Sequence, residues 1–277
     1  MRNLSGDAKQ YLRYLVFALI AIGFSNCSND DDVDDVIETQ PTGSITVEDQ
    51  IVSQNMLVVQ SVTVSTNSWL VVKKVNDDGS FSSMIAAPLL INEGTRNDID
   101  IELDNTNAAD VEIEDGTTLV LLLHTDDGDG VFEFEGDAGQ DMPIKNAAGN
   151  VLTETVVISS PSFEIEDQDV DNNTITFTNV STRSAGWIVV YNSTAAGTID
   201  EDDIIGFTYL EEGTNENVIV TFEDSFSFTA GQTIFSRIHK DDPEDGEFTY
   251  IEDPETDLPE SFGFGTDTTI TGSSVIN

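Results

Sequence analysis

An all-β chain built as two sandwiches in tandem is the fold class the sequence predicts, and three observations predict it. Val, Ile, Thr and Phe gather in short runs that alternate with polar residues, the habit of half-buried strands. Clusters of Asn, Asp, Gly and Ser punctuate those runs as turns. Landmarks of the first half also return, in order, in the second. EDQ at 48–50 returns at 166–168 and Trp69 as Trp187, both at an offset of 118. EGT at 93–95 returns at 212–214 (119), His124 as His239 (115), and Asp141-Met142-Pro143 as Asp257-Leu258-Pro259 (116). A period of about 117 residues belongs to whole domains, because solenoid repeats run roughly 20–50 residues.

The 277 residues suffice for two domains, each with its own core, and a hydrophobic content of 38% is adequate for half-buried sheets. Charge is the dominant feature: 53 acids against 10 Lys and Arg, formally −43. Residues 1–26 carry Arg2, Lys9, Arg13 and Asp7, so the chain without them is near −45. Such a surface repels phosphate backbones and anionic lipid, which excludes nucleic acid as a partner. It admits divalent cations, basic proteins and basic glycans, or serves only solubility in salty water, where repulsion is screened within about 8–10 Å.

Residues 1–26 read as a signal peptide: a basic start, then the apolar run YLVFALIAIGF at 14–24, too short to span a bilayer comfortably. Cys27, the sole cysteine, rules out an internal disulfide and any multi-Cys metal site. After FSN it resembles the lipobox cysteine of bacterial lipoproteins, with Asn26 where a small residue is usual. SNDDD at 28–32 is similar to the acidic export tag of Bacteroidetes outer-surface lipoproteins. The resemblance implies an acyl anchor on Cys27, at about 0.8 kcal/mol per buried CH₂, and a location on the extracellular face of the outer membrane. Residues 27–43 then read as a disordered acidic linker.

Repeat 1, over 44–160, predicts strands at MLVVQSVTVS (56–65), WLVVKKV (69–75), DIDIEL (98–103), TLVLLLH (118–124), VFEF (131–134) and TETVVIS (153–159), with a turn at NDDGS (76–80). About seven strands and no helix in that length predict an immunoglobulin-like sandwich. Repeat 2, over 161–277, repeats the plan. Trp69 and Trp187 open apolar strands and are expected to be core or inter-sheet aromatics, the alternative being an exposed carbohydrate-stacking platform. Gly94 and Gly213 sit in Glu-Gly-Thr turns where positive φ is wanted.

The chain's two histidines, His124 and His239, close equivalent strands on what alternation makes the wetter face. Each is expected to bond its own turn. A metal site is the alternative, with His124, Asp126, Asp127 and Asp129 in one copy and His239, Asp241, Asp242 and Asp245 in the other supplying N and O donors. The turns DDGDG (126–130) and DDPEDG (241–246) suit irregular Ca²⁺ binding but lack EF-hand spacing. No nucleophile elbow, P-loop, G-x-G-x-x-G or HExxH is present, so no catalytic residue is assigned and no resident cofactor is expected beyond possible Ca²⁺.

With WIVVYNSTAAG, IIGFTYLEEGTNENVIVTF, GQTIFSRIHKDD and DGEFTY in view, the second copy resembles a family of domains of unknown function frequent in secreted and surface proteins of halophilic archaea. The first copy is similar less tightly. The resemblance implies an extracellular β-sandwich and lends no activity, ligand or site residue. Asp267-Thr268-Thr269 looks like a Bacteroidetes O-glycosylation site on Thr268. These readings converge on a lipid-anchored surface module for binding, adhesion or envelope structure, its protein or glycan ligand unnamed. A cation-binding surface protein and a histidine-dependent enzyme are the rivals.

Overall fold

The computed structural model describes residues 40–134, 140–170, 172–222, 226–265 and 268–277. Cys27, the signal-like segment, most of the acidic linker and Asp267 lie outside the described residues. Gln40–Asn277 forms one compact unit. Its first half contains β1 (Gly43–Thr46), β2 (Gln50–Ile51), β3 (Met56–Val64), β4 (Ser68–Val75), β5 (Phe81–Met84), β6 (Leu89–Ile91), β7 (Gly94–Glu102), β8 (Thr117–Thr125) and β9 (Thr153–Ser159). Its second half contains β10 (Ser162–Glu164), β11 (Thr174–Thr182), β12 (Gly186–Ser193), β13 (Ile199–Leu210), β14 (Gly213–Thr221), β15 (Thr233–Lys240) and β16 (Thr271–Val275). All named elements are strands.

Each half is a two-sheet sandwich. The first pairs β1-β3-β7 on one side with β2-β9-β8-β4-β5 on the other, β6 also joining β4. The second repeats this as β10-β11-β14 and β13-β12-β15-β16, with β13 doing the work of β5 and β6 together. Even a small irregularity recurs: β2 runs parallel to β9, and a single parallel bridge joins Gln168 to Ile276. Asp98 in β7 and Asn217 in β14 both hold positive φ (49° and 53°), kinking equivalent strands. Asp and Asn tolerate that region better than other side-chain-bearing residues. Gly94 and Gly213, at φ 115° and 92°, open those strands as the turn chemistry requires.

The cores lie between the sheets. Leu57, Val59, Leu70, Val72, Ile99, Leu119, Leu121 and Leu123 are among those that fill the first, and Ile175, Phe177, Ile188, Val190, Val220, Ile234 and Ile238 the second. VFEF and its counterpart EFTY are not strands. Neither joins a sheet, and their rings fold back over the outer face of the larger sheet. As a result β4 is buried on both faces from Ser68 to Val72. The tryptophans are core aromatics as expected, but not inter-sheet ones. Trp69 and Trp187 face outward, away from the inter-sheet core, and each is only 7% exposed because a loop ring covers it.

The sandwiches are joined by more than the chain. The β15–β16 connection of the second reaches into the first. Asn55 Nδ2 donates to the Gly263 carbonyl and Gly263 N donates back to Asn55 Oδ1, both at 3.0 Å. Gln54 N donates to the Ser261 carbonyl at 2.8 Å. Phe262 and Phe264 pack against the first core. From the other side, Arg183 Nη1 donates to the Met56 carbonyl at 2.7 Å.

Candidate functional site

The two histidines build the same device. His124 stands opposite Trp69 across β8 and β4, and His239 opposite Trp187 across β15 and β12. His124 Nδ1 donates to the Asp141 carbonyl at 2.9 Å, and His239 Nδ1 to the Asp257 carbonyl at 2.5 Å. The carboxylate of the same aspartate grips the acidic turn. Asp141 accepts from Asp127 N (3.1 Å) and Glu133 N (2.7 Å). Asp257 accepts from Asp242 N (2.9 Å) and from Thr249 N and Oγ1 (2.6 and 2.9 Å). Both aspartates are buried. One aspartate per copy therefore ties strand, turn and aromatic flap together.

Aromatic edges close over the imidazoles: Phe132 and Phe134 at 5.3 and 4.8 Å from His124, Phe248 and Tyr250 at 5.7 and 4.8 Å from His239. Alternation had put the histidines on the wetter face. They do point outward, but His124 is 3% exposed and His239 fully buried, because the flap covers that face. Burial pushes His239 down to about 4 and His124 below its ordinary value, against the opposing pull of the carbonyl bonds. Both imidazoles are neutral at pH 7. With Nδ1 donating, His239 Nε2 accepts from the Tyr191 hydroxyl at 2.6 Å. Burial holds that phenol well above its usual range, so it keeps its proton. In the first copy Lys73 stands at the Tyr191 position, 118 residues earlier.

The acidic turns diverge. In the first, Asp126, Asp127 and Asp129 bring one carboxylate oxygen each within 4.8 Å of the others. His124 is not part of that group. Their carboxylates also accept turn N–H groups, at 3.3 Å from Gly130, 3.3 Å from Asp129 and 2.8 Å from Val131. In the second, Asp241 is buried and accepts from Gly246 N at 3.1 Å, Asp242 takes Lys240 Nζ at 3.1 Å, and Asp245 takes Glu247 N at 2.9 Å. No comparable metal-ligand group is found there among the described residues. Thr268 is half-buried, and its carbonyl accepts from Phe262 N at 2.9 Å.

Two features of the second copy had no counterpart in the sequence reading. Glu260 is fully buried with both carboxylate oxygens unpartnered among the described residues. It occupies the place of Ile144: Glu260 N donates to Ile238 O as Ile144 N does to Leu123 O, both at 2.8 Å. Burial pushes it up to about 7, with Lys240 and Arg183 opposing. The second feature is an exposed aromatic face. Trp187 meets Phe207, Tyr209 and Phe248 at ring distances of 5.7, 5.0 and 5.5 Å, and Phe207 meets Phe248 at 4.6 Å. Beside it a cleft of about 340 Å³ opens between Glu201, Asp202, Asp203 and Ile204 on one wall and Tyr250, Ile251 and Pro254 on the other.

Asp141 and Asp257 were visible in the sequence only as a repeated landmark. Glu260 could have been flagged, because aligning the copies sets it against an isoleucine.

The family model described as "Domain of unknown function (DUF7282)" matches residues 43–159 and again 161–271. No curated protein matches the chain. Among solved structures, a bacterial adhesin from Mobiluncus mulieris with disulfide, isopeptide and ester cross-links is 11% identical, over 72% of this chain and 81% of its own, at a TM-score of 0.23. The CBD12 segment from CALX1.2 is 10% identical over 85% of this chain and 99% of its own, at 0.23. The calcium binding domain CBD12 of CALX1.1 is 12% identical over 85% and 100%, at 0.21.

Proposed function

Because the chain belongs to the DUF7282 family, with two copies of that domain of unknown function, we propose that it is a non-enzymatic binding, adhesion or envelope module displayed at the cell surface. The observation that carries this reading is the closure of both imidazoles. Their Nδ1 protons are bound by the Asp141 and Asp257 carbonyls, which lie beyond the acidic turns rather than in them, and aromatic rings cover them. A general base must reach a substrate proton within about 2.6–3.2 Å, and groups sealed in this way do not. The chemistry of the chain is then the chemistry of its surface.

In this reading an acyl chain on Cys27 holds the protein to the extracellular face of the outer membrane, and the acidic linker lifts the sandwiches away from it. The sequence pattern at 14–32 supports that placement. Labelling of Cys27 with an alkynyl fatty acid and shaving of intact cells with protease test it. Absence of label in wild type, or protection from protease, would sink it.

A second reading is favoured by the Asp126, Asp127 and Asp129 grouping, which offers oxygen donors suited to Ca²⁺. Calorimetry with Ca²⁺ decides it: a heat that disappears in Asp127→Asn/Asp129→Asn supports a site, and a flat titration at millimolar calcium ends it.

A further inference from the structure

We propose that the outer face of β12, β13 and β15 in the second sandwich is a docking surface for a basic peptide segment, an arginine- or lysine-bearing stretch of another protein. The proposal rests on the binding-module reading and adds the chemistry of the partner. Three observations carry it.

The face is apolar and held in place. Phe207 and Tyr209 are 40% and 39% exposed, yet each ring leans edge-on against Trp187, which the flap locks from the other side. Rigid aromatic area costs little conformational entropy to bind, which is why such residues dominate interface hot spots.

The surroundings are acidic. The adjoining cleft sets Glu201, Asp202 and Asp203 across from the Tyr250 ring. Asp202 takes no side-chain partner among the described residues. Its own partial burial first, and then the nearby carboxylates of Asp241, Glu211 and Glu244, push the Tyr209 phenol above its ordinary value. Carboxylates around aromatic faces suit a guanidinium or ammonium group, which pairs with the first and lies over the second. The protein already uses that pairing beneath the cleft. Arg237 bonds Glu201 at 3.0 Å and lies 5.8 Å over the Tyr191 ring. A second copy of this chain would bring another −43 to the same place, and a neutral glycan would leave the carboxylates unmatched.

The fold does not demand the surface. In the first copy Leu90 pairs with Trp69 where Tyr209 pairs with Trp187, and two short strands replace the long β13 that forms the cleft wall.

The test is fluorescence anisotropy of labelled octa-arginine, octa-lysine and octa-glutamate against the full chain at low salt. The first two should bind and the third should not, with affinity falling as salt rises. Phe207→Ala/Tyr209→Ala, which alters no charge, and Asp202→Asn should each weaken octa-arginine binding about five- to tenfold. Asp77→Asn, in the exposed turn of the first sandwich, should change it less than about twofold. An unchanged melting temperature confirms that the variants fold. If the aromatic pair has no effect, or if Asp77→Asn costs as much as Asp202→Asn, binding is diffuse attraction and the docking face is wrong. If an uncharged oligosaccharide binds and the aromatic substitutions abolish it while octa-arginine is ignored, the basic partner falls and the binding-module reading stands.

Discussion

Replacing Glu260 by Gln should make the protein more stable above neutral pH and leave it little changed in acid. The carboxyl is fully buried, both oxygens lack partners among the described residues, and burial raises it from its ordinary 4.5 to about 7. A raised carboxyl favours the protonated form in the folded state. Its contribution is therefore complete below about pH 4.5 and is withdrawn as pH rises to about 7. Each pH unit of difference is worth about 1.4 kcal/mol, so ionisation withdraws about 3 kcal/mol, with Lys240 and Arg183 already opposing the rise. Glutamine keeps the shape and removes the proton equilibrium. At about 2–4 °C per kcal/mol for a unit of this size, Glu260→Gln should melt about 6–12 °C above wild type at pH 8 and within a degree or two of it near pH 4. The assay is thermal unfolding by circular dichroism at half-unit pH steps, read as the difference between the two proteins. General charge repulsion is common to both and cancels. Parallel curves across the whole range, or a gap that widens toward acid, would refute the reasoning.

Three further outcomes follow. Asp257→Ala should lower stability by about 3–4 kcal/mol, because it strands the N–H groups of Asp242 and Thr249; urea unfolding checks it, and a loss under about 1 kcal/mol would remove the clasp from the account. In Glu260→Gln the remaining slope should come partly from His239, whose depressed value disfavours the charged ring when folded. That contribution is complete above about pH 6.5 and lost as pH falls toward 4, so His239→Gln should flatten it. Phe262→Ala/Phe264→Ala should destabilise the first sandwich by about 2–4 kcal/mol although both residues belong to the second; hydrogen exchange resolved to β3 and β8 would show faster opening there, and exchange changed only in β15 and β16 would contradict it.

The fold was largely legible because it is written twice. Alternation located β3, β4, β7, β8 and β9, and the order of repeated landmarks located their partners. What period-2 reading cannot see is a third layer. VFEF alternates like a strand but joins no sheet, and its phenylalanines form a lid that turns an outward face into an interior one. That one event put both tryptophans in an outer core and made the histidines' face dry instead of wet. The clasp aspartates were hidden for another reason: their role lies in backbone partners 8 to 18 residues away, which spacing alone does not encode. The aromatic face became visible only when Phe207, Tyr209 and Phe248, distant in sequence, met over Trp187.

The reach of Phe262 and Phe264 into the neighbouring sandwich bears on the history of the duplication. At the equivalent place the first copy has Asn146 and Ala148 in a tight solvent-facing hairpin. Because rings of the later half complete the earlier half's interior, neither half can be deleted or moved elsewhere without leaving a hole or an uncovered apolar tongue. The two sandwiches therefore depend on each other's interiors, and a gene cut at the seam should give two fragments that fold well only when mixed.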